Sequence, residues 1–334
     1  MSAPATTEAP KSGRVLPPPV MGQEVVLIAV IAALWILLAI FTPAFLSAGS
    51  IQQLLWRLAP IGIMAVGMTM IIVTAGIDIS VAAILMVCSV VMAKLIAEGG
   101  WGFWTAVPVA ILIGGLLGSF NGVLTAYGRV PAMIITFGTA NIFQYIGLKV
   151  FNSQTVNGLP ASRDVLGPGA GGRTFGIPHA FMIMLVLVVL AGFYLRHFPG
   201  GRHFYAIGGN SGAAALAGVN VRRRIFITYV ITGLLVGLAA SVTIAGGTST
   251  LDQNVGKGQE LATIAAVVIG GTSVLGGRGS VLGAVLGALL VQTVSTGVTQ
   301  LGWPSQLSNL FVGIFIIIAV GADLIREHRR RSHA

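Results

Sequence analysis

Apolar residues gather along this chain into ten long blocks, separated by shorter stretches that hold nearly all of its charge. The blocks lie near 24–41, 51–74, 79–97, 103–126, 131–151, 178–196, 224–246, 260–274, 279–298 and 306–324. A helix that crosses the hydrocarbon core of a bilayer needs about 20 mainly apolar residues. Most of the blocks meet that length; the one at 260–274 is short and ends in Gly-rich sequence. The pattern predicts an all-α integral membrane protein, a polytopic helical bundle with about ten transmembrane helices spread over residues 23–325.

The stretches between the blocks are unequal. Residues 152–177 and 247–259 are polar and Gly-rich, whereas residues 197–223 are basic. Lys11, Arg14, Arg129, Arg196, Arg202, the triplet Arg222 to Arg224, Arg278, Arg326 and Arg329 to Arg331 all fall on one side of the alternation. Arg57, Arg163, Arg173 and Lys257 fall on the other, and Lys94 and Lys149 sit near outer helix ends, where long side chains snorkel. An excess of basic residues marks the cytoplasmic side. The bias therefore predicts an even number of spans with both termini cytoplasmic, an outer loop at 152–177 and an inner loop at 197–223. Residues 1–22 read as a disordered cytoplasmic tail and 326–334 as a basic cytoplasmic tail. The apolar run from Val25 is longer than a signal-peptide core and lacks a small-residue cleavage site, so it reads as a retained first span.

Composition agrees: 55% of residues are hydrophobic and 8% charged, too few charges to clothe a water-facing globule. The net charge of +10 would fit nucleic acid in a soluble domain. Here it follows from the loops, and no nucleic-acid partner is expected. Cys88 is the one cysteine, inside an apolar block, and reads as packing. The 46 glycines fit close helix packing in lipid.

Motifs for enzymatic chemistry fail on inspection. Gly167 to Gly172 (GPGAGG) spells a dinucleotide Gly pattern without a strand before it or a helix after it. The Gly256-Lys257 pair is followed by Gly258 where a phosphate-binding loop needs Ser or Thr. The five histidines lack metal-ligand spacing, and there is no nucleophile elbow. No cofactor is expected, and the chain cannot itself hydrolyse ATP.

The inner loop carries the sharpest signal. In SGAAALAGVNV a short helix is expected over Asn210 to Ala217, capped by Asn210 or Ser211 and stopped by Gly218. A helix so short is marginal alone and needs a docking partner. Asp78, in AGIDIS between the second and third blocks, is expected to cap the third helix through the amide of Ser80 or Val81. The functional alternative is an ion-coupling carboxylate, which would need further membrane-embedded acids that the sequence lacks. Gly270 to Ser280 (GGTSVLGGRGS) forms a tight turn around Arg278, and with VTAGIDISVAAIL it hints at an internal repeat. Among polar residues within blocks, Asn121, Asn141 and Gln144 are the candidates for a translocation path. No basic residue lies centrally in a block, which suits an uncharged solute.

GRHFYAIGGNSGAAALAGVNV, ELATIAAVVIGGTSVLGGRGSVLGAVLGALL and GMTMIIVTAGIDIS together resemble the permease subunits of bacterial ABC importers for ribose, xylose, rhamnose and autoinducer-2. The resemblance runs from about Gln52 to Asp323. It implies a membrane-spanning subunit of the inner membrane that forms the path for a sugar or sugar-like polyol. It also implies cytoplasmic ABC ATPase subunits, a second permease subunit, identical or paralogous, and a periplasmic or lipid-anchored solute-binding protein. Gly208, Gly209, Asn210, Gly212, Ala213, Ala214 and Gly218 would then form the ATPase-coupling segment. ABC importers often carry Glu-Ala-Ala-x-x-x-Gly there; this chain has Gly212-Ala213-Ala214 and Gly218, without the acid. The competing readings are an ion-gradient-driven transporter of a small neutral solute and a structural membrane scaffold.

Overall fold

The structure is a computed structural model that describes residues 21–128, 130–152, 154–159, 165–246 and 249–331. Most of the tail expected at 1–22 lies outside the described residues; residues 21 and 22 open the first helix. Helices dominate. The ten apolar blocks become α1 (Met21–Phe41), α2 (Ala48–Val73), α3 (Val81–Ala97), α4 (Phe103–Tyr127), α5 (Ala132–Phe151) and α6 (His179–His197), then α9 (Val221–Gly246), α10 (Gln259–Ile269), α11 (Val281–Gln300) and α12 (Gln306–Arg331). The segment expected as an inner loop folds into α7 (Pro199–Gly209) and α8 (Ser211–Leu216). The basic segment expected as a separate tail from 326 continues α12 as far as Arg331.

Seven of these helices are long and apolar enough to cross a membrane, and α3, α10 and the segment Gln306–Gly321 of α12 are shorter apolar helices. Ile36, Leu116, Phe137, Val189, Leu190 and Ile317 stand exposed around the outside, an apolar surface that a water-facing protein could not carry. The chain is a multi-pass helical membrane protein.

α2 lies at the centre, buried without a break from Leu58 to Val73 apart from half-buried Ile61. Around it pack α9, α11, α6 and α10. The tightest pair is α4 with α9. A Cβ on Gly233 would sit 2.1 Å from the carbonyl oxygen of Gly114, and one on Gly237 would sit 2.3 Å from that of Ala110. Only glycine permits such an approach, the small-residue packing by which helices associate in lipid. α10 and α11 meet in the same manner, with Gly283 against the Gly270 carbonyl.

At the end where α5 and α9 finish, loop segments close over the bundle. β1 (Val156–Asn157) pairs antiparallel with β4 (Thr250–Leu251), while β2 (Arg173–Thr174) and β3 (Ile177–Pro178) form a hairpin. The indole Nε1 of Trp56 donates to the carbonyl of Leu166 at 2.8 Å, and Arg173 donates to the side chain of Gln52. Both contacts strap residues 165–178 to the start of α2.

Candidate functional site

At the opposite end of the bundle, three segments distant in sequence converge. The first is the α7–α8 unit. Pro199 starts α7 at a position where its missing N–H costs nothing, and Phe204 and Ile207 bury its inner face. Asn210 ends α7 and begins α8, with φ −162° and its side-chain oxygen accepting from the Ala213 amide at 2.9 Å. Gly218 adopts φ +83° while its amide donates to Ala215, and the Val219 amide donates to Ala214, so α8 stops there. Asn220 then caps α9 by accepting from the Arg223 amide at 3.0 Å. Ala214 is buried, and Leu216 at the tip is 93% exposed.

The second segment is the end of α2 and the third is the Gly-rich turn between α10 and α11. The amide of Gly277 donates to the carbonyl of Val73 at 2.9 Å. Gly208 of α7 lies in the same contact, where an added Cβ would fall 1.9 Å from the Val73 oxygen and 2.4 Å from the Gly277 nitrogen. Tyr205 donates to the carbonyl of Gly279 at 3.1 Å, and burial raises the pKa of its hydroxyl above the ordinary value. Glu24, at the start of α1, accepts from the Ser280 hydroxyl at 2.7 Å.

One step further into the molecule sits the connector between α2 and α3. Asp78 is 1% exposed, and burial pushes its carboxyl up to about 6 against the opposing hydrogen bonds from Ser80 and Asn121. Its Oδ1 accepts from the Ser80 amide at 2.8 Å and the Ser80 hydroxyl at 2.6 Å. The expected acceptance from Ser80 is present, but the helix-capping position itself belongs to Ser80. Asp78 stands two residues earlier and folds the connector back on itself, because AGIDIS needs room to reverse before α3 begins. Asn121 of α4 donates to the Ser80 hydroxyl at 2.6 Å. Thr136 of α5 accepts from the Ile79 amide at 3.2 Å and donates to the Ile77 carbonyl at 3.1 Å. The connector is thus tied to two further helices.

The three path candidates are not brought together. Asn121 is wholly enclosed and links α4 to the connector. Asn141 and Gln144 lie on the exposed face of α5, where Asn141 donates back to the Phe137 carbonyl at 2.8 Å. Of the coupling-segment residues, Gly208, Asn210, Ala213, Ala214 and Gly218 have defined structural parts. Gly209 has open space where a side chain would be, and Gly212 has only the Asn210 side chain near it. Sequence reasoning gave Tyr205, Thr136 and Glu24 no part in the site. Pro199 followed by a spaced Phe204 and Ile207 was the available signal for α7; nothing in the sequence pairs Glu24 with Ser280. Among the described residues no cluster of three or more His, Cys, Asp or Glu could hold a metal ion.

The chain is thus a membrane bundle with a small helical unit docked on the ends of its helices. Residues 50–320 match the family described as branched-chain amino acid transport system / permease component, and the chain belongs to it. It is 35% identical over 295 residues to the ribose import permease protein RbsC of Escherichia coli (strain K12), covering 87% of this chain and 91% of that one. It is 34% identical to the fructose import permease protein FrcC of Rhizobium meliloti, covering 84% and 79%. It is also 34% identical to the D-allose transport system permease protein AlsC of Escherichia coli, covering 84% of each chain. No solved structure matches. The protein is a transport subunit rather than an enzyme.

Proposed function

We propose that this chain is the membrane-spanning subunit of an ATP-driven importer, and that it carries a sugar or sugar-like polyol across the bacterial inner membrane. The observation that carries the reading is the α7–α8 unit, seated on Val73 through Gly208 while it presents Leu216 outward. Similarity to three sugar permeases over most of their lengths supports the solute class. In this reading the seven long helices and the three shorter apolar ones make ten spans, with both termini and the α7–α8 unit cytoplasmic, as the basic residues favour.

The mechanism is alternating access. ATPase subunits close on binding ATP and press on α8. The push passes from α7 through Val73 and Gly277 into the ends of α2 and α10, and through Ser80, Asn121 and Thr136 into α4 and α5. The differential contact that shifts the equilibrium lies at the ATPase surface, as a population shift requires. A second permease subunit completes the path. The exposed Asn141 and Gln144 of α5 fit a route formed between subunits rather than within one. An external solute-binding protein delivers the solute to the face opposite α8.

The test is uptake of labelled sugar into proteoliposomes holding the permease, ATPase subunits and binding protein. Uptake is expected only with ATP, and deletion of residues 210–218 is expected to abolish it and the ATPase assembly while membrane insertion persists. Unchanged uptake after that deletion, or uptake by the permease alone on an ion gradient, overturns the reading.

A further inference from the structure

At the face opposite α8 the structure holds an open cavity of about 480 Å³ walled by Gln154, Thr155, Asn157, Asp252, Gln253 and Asn254. Its two walls come from the segment after α5 and the segment before α10. The β1–β4 pairing joins them, with Val156 opposite Leu251, Asn157 opposite Thr250, and the Leu159 amide donating to Ser249 at 3.1 Å. Strand alternation sets the character of the site. Val156 and Leu251 turn inward to the core, 4% and 7% exposed, so their polar neighbours Thr155, Asn157 and Asp252 face out.

The walls are shaped before any ligand arrives. Oδ1 of Asp252 accepts from the Asn254 amide at 2.6 Å and from its side-chain nitrogen at 2.7 Å, which closes the 252–254 turn. Asn157 donates to the Thr155 carbonyl at 3.3 Å. Among the described residues, the carboxamides of Gln154 and Gln253 have no partner of this kind and remain available from opposite walls.

We infer that this cavity is a receiving site for a neutral, polyhydroxylated solute on its way into the permease, an inference that rests on the function proposed above. A carboxamide offers both a donor and an acceptor, and a hydroxyl needs both. Four carboxamides and a threonine therefore match a ring of sugar hydroxyls. Among the described residues, the walls carry no apolar side chain to hold a hydrophobic solute and no cation to hold a phosphorylated one, and the one carboxylate repels anions. The space is ample for a monosaccharide, and its open, wet mouth suits brief capture rather than storage.

Gln154→Ala/Gln253→Ala removes the two untied carboxamides, Gln154 exposed and Gln253 half-buried at the middle of the 252–254 turn, while the Asp252–Asn254 bonds and the strand pair keep all their groups. The comparison uses proteoliposomes with ATPase subunits and the binding protein, and D-ribose, D-allose and D-fructose as probes. Initial uptake and stimulation of ATP hydrolysis by the loaded binding protein are read together. The inference expects uptake in the double variant about tenfold lower, the loss of two hydrogen bonds, with stimulation of hydrolysis kept. Uptake within twofold of the unaltered protein overturns it. Equal loss of uptake and stimulation also overturns it, because the segment then serves to dock the binding protein. If the unaltered protein takes up none of the three sugars with ATP, the proposed function itself fails, and the receiving site with it.

Discussion

The amide of Gly277 donates to the carbonyl of Val73 at 2.9 Å, so the turn between α10 and α11 is hydrogen-bonded to the last turn of the central helix. Gly208 seals that bond from the α7 side with no space for a single methyl group. Two glycines and one carbonyl thereby fix the geometry through which any movement of α8 enters the bundle.

Gly208→Ala is expected to disturb this contact more than any other single methyl added to α7 or α8. The new atom meets backbone on two sides, and overpacking of this kind costs about 1–3 kcal/mol. A lowered melting temperature in detergent, with uptake reduced severalfold, is the expected outcome. Gly209→Ala meets open space and serves as the control with near-normal behaviour.

Leu216 leads to the opposite expectation. At 93% exposed it supports nothing inside the chain, and Leu216→Asp should leave the melting temperature unchanged within the scatter of surface substitutions. Retention of ATPase subunits on the immobilised permease should nonetheless fall at least severalfold. Asn210→Ala should weaken assembly by another route, since losing an N-cap costs about 0.5–2 kcal/mol. Asn210→Asp should restore most of the assembly.

Asp78 sets a pH dependence whose sign follows from burial. Its carboxyl is pushed up from 3.8 to about 6, so between those values the folded protein holds a proton that the unfolded chain releases. Stability falls as pH rises through that window and stays at the lower level above it. Melting in detergent should thus be higher at pH 4 than at pH 7 through this group. Asp78→Asn should flatten that difference, and uptake by the variant should remain driven by ATP. Uptake by the unaltered protein that instead follows a cation gradient, and is lost in this variant, would favour the gradient-driven class.

Gly233→Leu places a branched side chain where a Cβ alone would lie 2.1 Å from the Gly114 oxygen. α4 and α9 cannot then meet, and the expected result is loss of monodisperse protein on size exclusion. A large residue at Gly313, which has open space, should be tolerated.

Much of this architecture was legible because long apolar blocks leave little choice in lipid: each has to satisfy its own backbone, and only a helix does so. The short helix between Asn210 and Gly218 was legible for the same local reason, a capping side chain followed by small residues and a stop. α7 was not. FPGGRHFYAIGG reads as a flexible loop, yet its glycines are there for contact. Gly201 packs on the Tyr194 carbonyl and Gly208 on that of Val73, and no local rule separates a glycine that bends from one that fits. The spacing of Gly114 and Gly118 on α4, and of Gly233 and Gly237 on α9, was open to reading as a helix-pairing signal. Asn141 and Gln144 stand out as path candidates because they are polar within an apolar block, but a block shows that a helix spans and not which of its sides faces protein.

Where Gly114 and Gly118 of α4 meet Gly233 and Gly237 of α9, main chain rests on main chain with no layer of side chains that could slide or repack. Two rods in such contact travel as one rigid arm. Conformational change in this transporter therefore has to be found in how that arm swings against α2, and in the connector whose polar ties hold its foot.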